Sequence, residues 1–402
     1  MHVEMMILTN IEKVIQSGIC YGCTACSNIC PQKCIDFVED EEGFSLPKIN
    51  TNRCIDCMLC ESVCIALVKK DENKNKILKA FVGWSKSVEV RFNSSSGGIY
   101  SEIVNSILNL EGNVYGAIYD SASKTIKYTS SDFSSFKLQR KSKYVEAQLD
   151  DTFIKVRDDL DSGRQVLFSG TPCYVSGLKR FLQKDYPNLY TCDFICHGRP
   201  SPGVFRIYIS HIEKINKSEI LEIDFRPKTF GWTRLRHLEI RFKNGVIQRY
   251  CCLSDPFFRA FISNKSLRKS CMRCQFSKSV HDADITLADY WDYINNKQIV
   301  NDGRGISMII CNTVRGAELI SKIDRELHLI QIEDKDYKYA FHERTELNYN
   351  FRARKEYFEY IKHVKHNIDV LKIDGNVRER FFLYLKNKLI KIIILTKQIR
   401  KD

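Results

Sequence analysis

Eight cysteines near the start of the chain fall into two copies of one spacing: Cys20, Cys23, Cys26 and Cys30, then Cys54, Cys57, Cys60 and Cys64. Each copy reads C-x2-C-x2-C-x3-C, and Pro31 follows the first. A cubane iron–sulfur cluster needs one thiolate at each iron, and three cysteines spaced by two residues wrap one loop around three irons. The fourth cannot reach the same cluster and ligates the other. The spacing therefore assigns Cys20, Cys23, Cys26 and Cys64 to one [4Fe-4S] cluster and Cys54, Cys57, Cys60 and Cys30 to a second. The crossing ties both halves together, so the segment folds around its clusters, as small metal domains do. Short strands are expected over 35–38 and 45–49, with Glu42 and Gly43 in the turn. Zinc ribbons use separated C-x2-C pairs rather than runs of four. Disulfides belong to oxidising compartments. Ile65 stands where the first copy has Pro31, a small departure in the second motif. Cys34 is an extra thiol and reads as a packed core cysteine.

At 402 residues and 44% hydrophobic content, the chain can bury two or three cores. The net charge of +13 is uneven: residues 1–79 are slightly acidic, whereas 351–402 are strongly basic. No nucleic-acid recognition motif accompanies the lysines. Residues 1–19 show no export signal, and no apolar stretch is long enough to span a bilayer. With seventeen cysteines in cluster-like spacing, the expected compartment is the cytoplasm. The Lys/Asn-rich run 69–79 reads as a linker. The expected division is a ferredoxin domain at 1–78, a second domain at 79–340 and a basic helical tail at 341–402.

In the second domain, strands are expected over 80–85, 114–119, 165–169 and 189–195, and a helix over 99–110. Ser95, Ser96, Gly97 and Gly98 open that helix, a loop type that presents backbone N–H groups to a phosphate or simply caps the helix. The run 165–169, a helix from Thr171-Pro172 and the run 189–195 form a βαβ unit. Parallel strands end on one edge. Cys173 and the Cys196-His197-Gly198 turn therefore converge there. Further strands are expected over 221–225, 238–242, 246–251 and 306–311, with Asn244-Gly245 as a hairpin turn. Cys271 and Cys274 form a lone C-x2-C. With Cys173 and Cys196 they supply four thiols for a third cluster, or else remain buried, redox-idle thiols.

Taken in order, Ser94 to Gly98, Ser142-Lys143-Tyr144-Val145, Ser169-Gly170-Thr171-Pro172-Cys173, Phe194-Ile195-Cys196-His197-Gly198, Phe225-Arg226, Gly231-Trp232, Cys271-Met272-Arg273-Cys274 and Asp289-Tyr290-Trp291 form a pattern. The chain resembles the coenzyme F420 hydrogenase/dehydrogenase beta-subunit family, in its version with an N-terminal ferredoxin. The resemblance implies an α+β ferredoxin-like 2[4Fe-4S] domain followed by a mixed α/β flavin-binding domain. It implies FAD passing electrons between iron–sulfur centres and an organic substrate, supplied by reduced ferredoxin or a similar donor. Relatives of this arrangement are associated with surface-polysaccharide biosynthesis. On that reading Ser95, Ser96, Gly97, Gly98, Lys143, Tyr144, Thr171 and Arg226 hold the flavin, and His197 donates a proton. Gly303-Arg304-Gly305 reads as a second glycine loop near the flavin or as a turn. Tyr174, Lys141, Ala288 and Asp292 depart from the family pattern. The competing expectation is a non-catalytic electron-transfer subunit that docks on a partner enzyme. Residues 380–401 form a basic amphipathic pattern, which suits either an anionic membrane surface or packing on protein.

Overall fold

The computed structural model describes residues 10–68, 77–233, 237–277, 281–294, 299, 301–333 and 350–364. The cysteine-rich segment contains α1 (Asn10–Gln16), α2 (Ala25–Ile29), β1 (Ile35–Glu39), β2 (Ser45–Ile49) and α3 (Leu59–Ser62). β1 and β2 pair antiparallel, Phe37 opposite Pro47. Its two halves repeat in the backbone as well as in sequence. Gly22 and Thr24 take φ of 59° and 59°, and their counterparts Asp56 and Met58 take 50° and 57°. These left-handed residues curl each cysteine loop in the same way, and in the first loop Gly22 N lies 3.3 Å from Cys20 Sγ, a donor that suits the negative charge of an iron–sulfur cluster.

The larger part begins with β3 (Lys79–Ser85), α4 (Val88–Phe92), α5 (Ile99–Leu108), β4 (Asn113–Asp120) and β5 (Thr125–Ser131). It continues through α6 (Thr152–Asp161), β6 (Val166–Ser169), α7 (Pro172–Leu182), β7 (Leu189–Phe194) and α8 (Pro202–Asn216). Then come β8 (Ile220–Asp224), β9 (His237–Phe242), β10 (Ile247–Cys251), α9 (Pro256–Ile262), β11 (Ile285–Asp289), β12 (Ser307–Cys311), α10 (Val314–Lys322) and β13 (Leu327–Ile332). The last described helix is Phe351–Val364.

Among the described residues, eight strands form one sheet in the order β13-β3-β12-β11-β7-β6-β4-β5. The central strands β4, β6, β7 and β11 run parallel, and antiparallel strands flank them. β6 is buried on both faces, as a central parallel strand must be: Val166, Leu167 and Phe168 are at most 1% exposed. Alternate residues face opposite sides. Leu167 packs with Ile103 of α5 and Ile320 of α10, while Val166 and Phe168 pack with Val156 of α6 and Leu178 of α7. The sheet is thus covered on both faces. β8, β9 and β10 form a separate antiparallel sheet over α8 and α9.

Every strand expected from the sequence is present with its ends within one residue, and the expected βαβ unit is β6-α7-β7, with Val166 beside Leu189. The helix expected over 99–110 stops at Leu108. The mixed α/β class and the ferredoxin-type first domain are thereby observed. Of the linker, residues 69–76 lie outside the described residues, as does the amphipathic segment 380–401. The helix Phe351–Val364 packs Phe358 against Phe44 of the first domain, ring centroids 6.1 Å apart.

One cap carries a measurable pH signature. Asp255 begins α9, accepting from Phe258 N at 2.8 Å through Oδ1 and from the Tyr208 hydroxyl at 2.8 Å through Oδ2. Burial pushes its carboxyl up to about 6, against the opposing pull of those hydrogen bonds. Between about pH 4 and pH 6 the folded protein therefore holds a proton that the unfolded chain has released. The associated stability is full below the ordinary carboxyl range and falls as pH rises from about 4 to about 6. The loss is on the order of 2–3 kcal/mol. Asp255→Asn keeps the cap and should flatten that slope in denaturation curves at pH 4 and 7. An unchanged slope would count against this assignment.

Candidate functional site

The first-domain cysteines gather in two places. Cys20, Cys23, Cys26 and Cys64 crowd one another. Burial first, and then the thiolates of Cys20 and Cys64, push the Cys23 thiol up to about 12. Cys26 is raised by burial and by Cys23, Cys20 and Cys64. Backbone N–H groups oppose this: Gly22 N lies 3.3 Å from Cys20 Sγ, and Ala66 and Leu67 donate to Cys64. Cys30, Cys54, Cys57 and Cys60 line a second, small cavity with Cys34. Amide donors aimed at clustered sulfurs fit a thiolate-ligated cluster, whose charge they offset. Among the described residues, no three His, Cys, Asp or Glu side chains are gathered tightly enough for a single metal ion.

The two cluster sites face different surroundings. Cys57 is exposed, and Ile55 and Met58 beside it are 59% and 54% exposed. The first site faces the body of the protein. Cys23 packs on α7 at Gly177, where an added Cβ would lie 3.0 Å from Cys23 Sγ. Tyr21, next to Cys20, meets Phe276 edge-on at 5.3 Å and accepts from Gln275 N at 3.3 Å. Cys274, Cys173 and Cys271 all bear electrostatically on the Tyr21 hydroxyl, which burial already pushes up. The C-x2-C pair and the α7 cysteine thus converge beside the first cluster site.

Two buried arginines and one glutamate clamp this junction. Arg268 holds Glu146 with both ends of its fork, at 2.7 and 2.6 Å, and also donates to the carbonyls of Cys20 at 3.3 Å and Ser45 at 2.8 Å. Arg199 donates to the Tyr21 carbonyl and lies 3.5 Å from Glu146. Its Nε and Nη1 are buried without a hydrogen-bond partner among the described residues. Burial opposes its charge, but Cys173, Tyr174, Glu146 and Cys271 raise its pKa on balance. None of these three residues was visible as functional in the sequence.

A cavity of about 300 Å³ opens at the C-terminal edge of β6 and β7, the edge expected for ligands. Ser95, Ser96, Gly98, Lys143, Tyr144, Thr171, Arg226, Cys196 and His197 line it. Gly97 does not. Its N–H donates to Ser307 Oγ at 2.9 Å, and an added Cβ would lie 2.6 Å from the Gly83 carbonyl. Gly97 therefore serves close packing of the loop on β3 and β12, not a phosphate. The serines are also engaged: Ser95 Oγ accepts from Ser142 N at 2.8 Å, and Ser96 Oγ donates to the Ile306 carbonyl at 2.8 Å.

The basic residues divide by role. Lys143 Nζ donates to the carbonyls of Leu138 and Arg140 at 2.7 and 2.6 Å, and burial pulls it down to about 7. Arg226 pairs with Asp289 at 2.5 Å. Arg140 lines the cavity, and its buried Nε has no hydrogen-bond partner among the described residues. With Arg199, it is an available donor to an anionic ligand that sequence reading missed. Lys228 supports the loop from behind, donating to the carbonyls of Arg91, Ser96 and Arg304 at 2.5, 2.6 and 2.5 Å. The Gly303–Gly305 turn is joined to that loop: Arg91 donates to the Gly305 carbonyl at 2.9 Å. On the β7 wall, Asp193 faces the cavity and meets His281 Nδ1 at 3.0 Å. His197 contacts Phe261 edge-on at 4.9 Å. A cleft with this basic excess suits an anionic, phosphate-bearing ligand.

Comparison with known proteins agrees in outline. Residues 19–67 match the 4Fe-4S dicluster domain, and residues 163–336 match the C terminus of the coenzyme F420 hydrogenase/dehydrogenase beta subunit. An uncharacterized polyferredoxin-like protein of Methanocaldococcus jannaschii is 32% identical over 62 residues, 13% of this chain and 37% of that protein. The chain thus spans little more than a third of the curated relative it matches. A xenon derivative of the F420-reducing [NiFe] hydrogenase complex from Methanosarcina barkeri aligns over 74% of this chain and 95% of that chain. The TM-score is 0.46 and the identity 16%, too distant to carry fold or function.

Proposed function

We propose that this chain passes electrons from a reduced carrier through its clusters to FAD and an organic substrate. It joins a 4Fe-4S dicluster domain to the C-terminal domain typical of coenzyme F420 hydrogenase/dehydrogenase beta subunits. The observation that carries this reading is the position of Arg199. It lines the cavity and also bears on Cys173 and Cys271, beside the first cluster site. Iron–sulfur chemistry and a ligand cleft thus share one buried residue.

On this reading the exposed Cys57 site receives electrons, the Cys20 site relays them inward, and Cys173, Cys196, Cys271 and Cys274 hold a third cluster at the cavity's edge. FAD, when bound, converts single-electron delivery into two-electron transfer. Arg140 and Arg199 neutralise its phosphates. Ser95, Ser96, Gly98, Tyr144 and Thr171 shape the wall, and Lys143 and Arg226 hold that wall in place. His197 is the proton donor we propose for the substrate. The substrate class suggested by the resemblance is an intermediate of surface-polysaccharide biosynthesis, and trapping with flavin-loaded protein addresses it.

Anaerobic purification with iron, sulfide and flavin analysis tests the proposal. About twelve irons per chain with FAD is the expected result. About eight without flavin would remove the flavoenzyme. Cys173→Ser should lose about four irons and keep the ferredoxin EPR signals; unaltered iron would dismiss that ligand set.

The electron-delivery reading is favoured by one feature, the apolar surface of Ile55, Met58 and Leu59 beside exposed Cys57. Absence of turnover with dithionite and every acceptor, together with capture of a partner enzyme through that surface, would select it.

A further inference from the structure

Five thiols, one more than a cubane can use, line the second cluster cavity: Cys30, Cys34, Cys54, Cys57 and Cys60. The extra one is Cys34. Its sulfur lies 3.4 Å from Cys30 Sγ, and its backbone N donates to that same sulfur at 3.5 Å. A tight turn makes this possible: Lys33 N donates to the Cys30 carbonyl at 3.1 Å, with Lys33 at φ 46°. The far side is pinned by Asn50 N, which donates to the Cys34 carbonyl at 2.8 Å.

Cys34 is buried in the core, as expected of a packed cysteine. Cys34 is 3% exposed yet belongs to none of the four apolar clusters, whereas Cys192 and Cys311 sit inside one and Cys252 inside another. Its sulfur meets that of Cys30 at the cavity that Cys54, Cys57 and Cys60 also line.

We propose that Cys34 is a reserve ligand of the second cluster, able to take the iron held by Cys30 when Cys30 is removed or oxidised. In the exchange, one Fe–S bond to Cys30 breaks and one to Cys34 forms. Cys34 releases its proton, to Cys30 if that thiolate is intact and to solvent otherwise. The coordination number of the iron is kept, and no electron is transferred. An outermost cluster, reached first by peroxide, gains most from such a spare. The inference rests on the dicluster reading of residues 19–67.

The test uses anaerobically prepared full-length protein and compares Cys30→Ala, Cys34→Ala, the double variant and Cys57→Ala. Cys30→Ala and Cys34→Ala should each keep wild-type iron. The double variant and Cys57→Ala should each lose about four irons. Cys30→Ala losing as much iron as the double variant overturns the proposal. The EPR signal of the first cluster, retained, shows that the domain has folded. If the unaltered protein lacks a second cluster, it is the dicluster reading that fails. A measurement independent of Cys30→Ala is peroxide challenge of the wild type and Cys34→Ala. The second-cluster signal should decay several-fold faster without Cys34, and equal decay overturns the proposal.

Discussion

Replacing Glu146 with alanine is expected to lower the unfolding free energy by about 3–5 kcal/mol, the cost of breaking a buried ion pair from one side. Glu146 is the carboxylate that Arg268 and Arg199 share, and all three side chains are at most 5% exposed. Removing it leaves two guanidinium groups close together in a low-dielectric junction, beside thiols. The damage should be local as well as global. Arg268 holds the Cys20 and Ser45 carbonyls, and Arg199 holds that of Tyr21. Amide exchange near Tyr21 should therefore accelerate. Glu146→Gln, which keeps an acceptor and loses the charge, should fall between. Denaturant unfolding of the cluster-loaded protein measures this, and a loss below about 1 kcal/mol would show that the arginines find other partners.

The second large effect is expected from a glycine in the other domain. Gly177 lies in α7, far in sequence from any first-domain cysteine, yet an added Cβ would sit 2.9 Å from Cys23 Cβ and 3.0 Å from its Sγ. The obstacle is space rather than backbone conformation, since Gly177 is an ordinary helical residue. Gly177→Leu must push either α7 or the first cluster loop aside. Overpacking of this kind costs roughly 1–3 kcal/mol. A displaced ligand costs its cluster, so about four irons and the first-cluster EPR signal should be lost. The second cluster should survive, because its thiols line a separate cavity. Full iron content in Gly177→Leu would mean that the interface gives way without disturbing the ligands.

What the chain discloses about itself follows the range of each interaction. The cysteine runs are local patterns, legible residue by residue. Apolar strands such as Val166–Ser169 announce burial on both faces. β5, with the sequence TIKYTSS, does not, because its polar residues resemble a loop until Ile126 is seen buried at 1%. The residues that organise the junction are invisible for another reason. Arg268 and Glu146 are 122 positions apart, and Arg226 and Asp289 are 63 apart. No periodicity links such partners. Gly97 shows the converse: a glycine in a loop before a helix suggests phosphate, but the Gly83 carbonyl in the neighbouring strand decides its role.

The position of β3 sets the order of events as the chain is made. Although first in the body of the protein, it is hydrogen-bonded on one side to β12 and on the other to β13, the last two strands of the sheet. Pairings this remote carry a large loop-closure cost and form slowly. On the ribosome, β3 has neither neighbour until nearly all of the sheet's residues have emerged. The cysteine-rich segment ahead of it meets no such delay, so iron can be delivered to an N-terminal module whose docking platform is still being synthesised.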